Sequence, residues 1–223
     1  MHLDIESIRD FTKPAHIALG GVILLTGLLQ MALPKFGKRH RLLGQVYFWA
    51  MIFSFITSFP ISIAKENYFL SMVGLFSLYL SFTGGRFAMV KNAARLPLID
   101  KIGILFFALS SLLMLLFGIT MFTKGYIGGG IIIFIFSGIF LSGTVRDVYY
   151  VFIKRDHLAK YGGLNWMFNH IGRMIGSYIA AVTAFLVNVQ PFGSSIVNWL
   201  LPTLIGSFVI SRFLRHYKTK YKS

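Results

Sequence analysis

The sequence predicts an all-α fold: a polytopic membrane protein, one domain built as a bundle of seven transmembrane helices, with the N-terminus outside and the C-terminus cytoplasmic. Three observations predict it. Apolar stretches of helical length recur seven times, each long enough to cross a hydrocarbon core of about 30 Å at about 1.5 Å per residue. Only 13% of the chain is charged against 56% hydrophobic, well below the roughly 25% charged residues of a soluble domain. The basic residues also alternate from one connection to the next, which sets the direction of insertion.

The spans read as 14–34, 42–64, 68–90, 101–122, 126–148, 164–188 and 195–213. Lys35, Lys38, Arg39 and Arg41 follow the first. Arg86, Lys91, Arg95 and Lys101 lie around the end of the third and the start of the fourth, and Arg146, Lys154, Arg155 and Lys160 around the end of the fifth and beyond. Arg212, Arg215, Lys218, Lys220 and Lys222 lie in the tail. The other side holds only Arg9, Lys13, Lys65 and Lys124. Lysine and arginine are retained on the cytoplasmic side, so the first group faces the cytoplasm. The net charge of +15 is topogenic on this reading. It points to no nucleic acid, because the charges form no separate basic domain. The opening MHLDIESIRDFTKP has no basic segment followed by an apolar run, so the first span is expected to direct insertion itself.

Each span has its own signature. Pro14 suits the first turn of span one, whose stripe carries His16, Gly20, Gly27 and Gln30. Span two follows the basic turn KFGKRHR with His40, Gly44, Tyr47, Met51, Ser54 and Ser58 on one face, and Pro60 is expected to kink its outer end. Span three groups Gly74, Ser77, Ser81 and Gly85. Span four, KIGILFFALSSLLMLLFGITMF, is the most lipophilic and is expected to face lipid. Span five has two Ser-Gly pairs and then Arg146, Asp147, Tyr149 and Tyr150. Span seven contains Pro202 and Gly206 and ends before a basic tail. Spans one, two, three, five and six are expected to form the interior.

The chain is expected to be organised around span six, LNWMFNHIGRMIGSYIAAVTAFLV. At about 100° per residue His170, Arg173, Met174, Ser177 and Ala181 share a stripe. Gly172, Gly176, Ala180 and Ala184 form a neighbouring small-xxx-small ladder, which permits close helix approach. An arginine inside a span is costly unless paired, hydrated or snorkelling, so it marks a functional site by default.

The absence of cysteine excludes disulfides, thiolate ligation and covalent haem attachment. No lysine lies mid-span for a retinal Schiff base. Gly128-Gly129-Gly130 lacks a nucleotide-binding context. Only Asp147 is an acid near a span interior, too few for a membrane hydrolase, and no charge ring suggests a channel.

What remains is a polar site at the cytoplasmic end, built from His40, Tyr47, His170, Arg173 and Ser177. Asp147 is a counter-ion for Arg173 or Arg146, and Arg86 and His157 lie at the same end. One reading is haem b: two axial imidazoles, His40 and His170, with arginines at the propionates. In that reading Arg173 neutralises a ligand carboxylate, and Tyr47 and Ser177 orient the ligand. A second is a lipid-headgroup-binding or transport site, since basic pockets between helices hold acidic headgroups. A third is a metal on His40 and His170 with a carboxylate. The plain alternative is that these side chains fix helix packing alone. His16, at the far face, has no evident partner, so a second outer haem is not expected.

His16, the run His40-Arg41-Leu42-Leu43-Gly44-Gln45-Val46-Tyr47, His170-Ile171-Gly172-Arg173-Met174 and Thr183-Ala184-Phe185 resemble the sparse signature of an uncharacterised family of bacterial multi-pass membrane proteins. Its members carry a histidine in the first span, an "HR..G..Y" start to the second and an "H...M" late span, matched here as "H..RM". The resemblance covers about a fifth of the chain. It implies a bacterial inner-membrane location and gives weight to the three histidines. It implies no activity.

Overall fold

The computed structural model describes residues 4–34, 37–91, 95–154 and 164–220. Within them the chain is all helical. Its elements are α1 (Ile5–Ala32), α2 (Lys38–Ala64), α3 (Tyr68–Val90), α4 (Leu98–Thr123), α5 (Ile127–Val148), α6 (Asn165–Val189) and α7 (Ser195–Lys220). All seven are long and apolar enough to cross a membrane, as in a multi-pass membrane protein. Lys35, Arg155, His157, Lys160 and Lys222 lie outside the described residues.

Three helices run furthest beyond the spans read from the sequence. The start of α1 is Ile5, not Pro14, because Asp4 caps it by accepting from the Ser7 amide at 2.7 Å. Arg9 then braces the polar first turns through Asp10 at 2.9 Å and Glu6 at 3.4 Å. Pro14 is therefore an interior residue of α1. At the other terminus α7 continues through the basic tail to Lys220. Lysine and arginine are good helix formers, and cations are favoured in a last turn. Beyond Val148, α5 runs on as π-helix over Tyr149–Lys154.

Neighbouring helices pack antiparallel. His16 of α1 meets Ser54 of α2, while Gln30 meets Leu43. Ser111 of α4 meets Thr144 of α5. One end of the bundle thus gathers the C-terminal ends of α1, α3, α5 and α7 and the N-terminal ends of α2, α4 and α6. This is the basic end.

The central helix is α3, not α6. It packs against α2, α4, α5 and α6, and its span is the most buried of the seven, at 44%. Small and hydroxylated residues on more than one side of α3 allow this. A Cβ at Gly84 would lie 2.9 Å from the Arg173 Cβ, so the α3 and α6 backbones meet where α3 has no side chain. Val73, Phe76 and Tyr79 join Phe107, Met114, Phe136, Phe140 and Trp199 in one core across α3, α4, α5 and α7. A second joins Ile23, Tyr47, Ala50 and Met51 across α1 and α2, with Met174 and Tyr178 of α6 against it. Against expectation, span four is not the most peripheral: it is 28% buried against 22% for α1, α2 and α6, which were expected to form the interior. Leu105, Leu109, Leu113 and Leu116 of α4 form an exposed apolar strip, while Ile104, Phe107, Ser111 and Met114 face inward and pack the core.

Candidate functional site

The basic end holds two cavities, one on each side of α6. The first has a volume of about 680 Å³ and is lined by parts of α1, α2, α3, α6 and α7, within the 300–1,000 Å³ typical of ligand sites. His40 in the first turn of α2 and His170 in the second turn of α6 both line it. The Nδ1 atom of His40 is buried.

The tautomer of His170 follows from its partner. Nδ1 lies 2.9 Å from the Gly84 carbonyl oxygen. A carbonyl only accepts, so Nδ1–H donates, and Nε2 is the lone-pair nitrogen of the neutral ring. Metal-ligating histidines are commonly fixed in this way. The bond needs α6 close to the α3 backbone, which Gly84 permits.

Tyr47 is buried in the wall. Ser177 donates to the Met174 carbonyl at 2.9 Å, so the 2.8 Å contact between hydroxyls runs from Tyr47 to Ser177. This bond ties α2 to α6. The only cations on the wall among the described residues are Arg41 and Lys91, and no acid lines it. Lys91 caps α3 in the left-handed region, at φ 57°, uncommon for a residue with a side chain. Its ammonium stands 5.0 Å from the centre of the Trp166 ring, a cation–π distance. A Cβ at Gly44 would meet only the Gln30 Oε1, at 3.4 Å. The missing side chain there is cavity space.

Arg173 belongs elsewhere. It is 4% exposed, and its Nη1 donates to Asp147 Oδ2 at 2.8 Å and to Tyr79 Oη at 3.2 Å. Nη1 also meets Thr83 Oγ1, and Nη2 donates to Asp147 Oδ1. Tyr79 in turn donates to Asp147 Oδ2 at 2.7 Å. Gly143 makes room for this hydroxyl, since a Cβ there would stand 2.8 Å from it. The guanidinium also lies 4.8 Å from the Phe87 ring centre. A buried charge pair is tolerable only when its remaining donors and acceptors are met. Here the network joins α3, α5 and α6 and leaves one buried donor, Arg173 Nε, without an acceptor among the described residues.

The second cavity, about 520 Å³, is lined by parts of α3, α5, α6 and α7 and by Tyr150 of the π-helical turn. Asn165, Asn169, Gly172 and Arg173 present α6 to it, with Arg146 of α5 and Lys218 of α7.

The predicted residues therefore divide. His40, Tyr47 and His170 share the first cavity, Arg173 lines the second, and Ser177 backs Tyr47. Asp147 pairs with Arg173, the first of its two expected partners. The far-end His16 does have partners: Ser54 O at 3.0 Å and Thr57 Oγ1 at 3.3 Å. A second acid is buried as well. Asp100, at 2% exposure, begins α4 and is held by Arg86 at 2.9 Å. No cluster of three or more His, Cys, Asp or Glu side chains among the described residues could hold a bare metal ion. Sequence reasoning missed Trp166 in the first wall and Tyr79 and Thr83 around Arg173. Tyr79 carried a signal, a phenol in mid-span that must find a partner.

The fold and site define a helical membrane protein with a two-histidine cavity at its basic end. Compared with known proteins, the chain matches no family model, no curated protein and no solved structure.

Proposed function

We propose that this is an integral membrane binding protein for a haem-type redox group, with His40 and His170 as its ligands. One observation carries the reading: two imidazoles from different helices line one cavity of about 680 Å³, and one of them is anchored through Nδ1 on a carbonyl. The residues fit the group. Histidine is a usual axial ligand of b-type haem, with no cysteine needed, and the rest of the wall is largely apolar and aromatic. Haem bound there would supply one-electron chemistry. The chain supplies the imidazoles, a tyrosine fixed by Ser177, and two cations.

Those cations revise one role. Arg173 is engaged by Asp147 and does not line this cavity. Arg41 and Lys91 are the groups placed to neutralise ligand carboxylates. The positive-inside pattern supports an N-terminus outside and a C-terminus inside, with the cavity at the cytoplasmic face, and the family resemblance supports a bacterial inner-membrane location.

The test is an absorption spectrum of detergent-purified protein after haem-supplemented expression. A Soret band is expected, and either His40→Ala or His170→Ala should abolish it. A colourless wild-type protein, or a band unchanged in both variants, overturns the assignment.

A further inference from the structure

We propose that the second cavity is an anion site that takes a phosphate group, either on the headgroup of an acidic phospholipid or as free phosphate. Arg146, Arg173 and Lys218 line it and no described acid does. The two described acids at this end are already committed, Asp147 to Arg173 and Asp100 to Arg86. Arg173 is thus neutralised from beneath, and Arg146 and Lys218 are the remaining cations of the wall, Lys218 with its ammonium 5.8 Å from the Phe168 ring centre. Arg146 makes no ion pair with any described residue.

Neutral groups complete the polar part. Asn165 and Asn169 approach from the first turns of α6 and Tyr150 from the π-helical turn. π-helical insertions often accompany functional sites, because they shift side chains out of the α-helical register. Ile139 and Leu214 form apolar wall toward the middle of the helices. An amphiphile matches this order: an anion at the basic end, where headgroups lie, and an acyl chain beside the apolar wall. Basic pockets between helices bind acidic headgroups by the same logic. The site is independent of whatever the first cavity holds.

The experiment uses the full chain in detergent. Native mass spectrometry measures retention of dioleoylphosphatidylglycerol against dioleoylphosphatidylcholine, with and without millimolar inorganic phosphate. The acidic lipid should be retained in preference. Arg146→Gln combined with Lys218→Gln should reduce retention about tenfold or more, equivalent to about 1.4 kcal/mol. Displacement by phosphate assigns the site to free phosphate, and persistence assigns it to the lipid. Equal retention of both lipids, or unchanged retention in the double variant, overturns the proposal. Asn169→Leu keeps both cations and replaces a polar amide of the wall with an apolar side chain. It must also lose the lipid, whether or not the double variant folds.

Discussion

The two cavities at the basic end share α6 as a wall and differ in what that wall presents. Toward the first, α6 shows His170, Met174 and Tyr178; toward the second, Asn165, Asn169, Gly172 and Arg173. At about 100° per residue these sets fall on roughly opposite sides of one helix. The wall cations differ too. Arg41 and Lys91 stand with two imidazoles, Arg146 and Lys218 with two amides, two phenols and the Phe168 ring. A single polar helix can therefore serve two separate chemistries. The contact of α6 with α3 at Gly84, where His170 is anchored and Arg173 turns the other way, forms the divide.

Breaking the charge network beside the second cavity should have the largest effect. Asp147→Asn leaves Arg173 buried without a counter-charge, and losing one partner of such a pair costs about 3–5 kcal/mol. The expected result is a large drop in unfolding temperature in detergent. A loss under about 1 kcal/mol, the value of an exposed pair, would show that this network does not hold α5 to α6.

Disturbing the divide should come next. Gly84→Ala forces a Cβ to 2.9 Å from Arg173 Cβ, and overpacking of this kind costs about 1–3 kcal/mol. It should also weaken ligand binding in the first cavity, by moving the carbonyl that holds His170. Wild-type stability together with wild-type binding would show that the close approach is dispensable.

The smallest effect belongs to the first cavity's own wall. Tyr47→Phe removes the bond to Ser177 and should cost about 0.5–1.5 kcal/mol, with no change in retained acidic lipid. A change in lipid retention would mean that the two sites are coupled.

The seven spans were legible from apolar run length alone. Where helices extend into polar sequence, at 5–13 and again at 214–220, hydropathy is silent and capping and charge decide. The cavity histidines were legible because a polar ring in a span needs a reason. The division between His170 and Arg173 was not. They are three residues apart, about 60° on a helical wheel, and whether they share a cavity depends on where a neighbour crosses. Gly84 decides that crossing and looks like any other span glycine. The pairing of Asp147 with Arg173 was half legible, since both residues stand out. The choice over Arg146 needed Tyr79 and Thr83 beside it.

The separation of the cavities is tested most directly by absorption spectra of Gly44→Phe and Arg146→Gln, each purified after haem-supplemented expression beside the wild type. Gly44→Phe places a ring in the first cavity without removing a ligand, and Arg146→Gln removes a cation from the second. The expected result is loss of the Soret band in the first variant and a wild-type band in the second. A band that survives Gly44→Phe, or one that disappears in Arg146→Gln, would contradict the account.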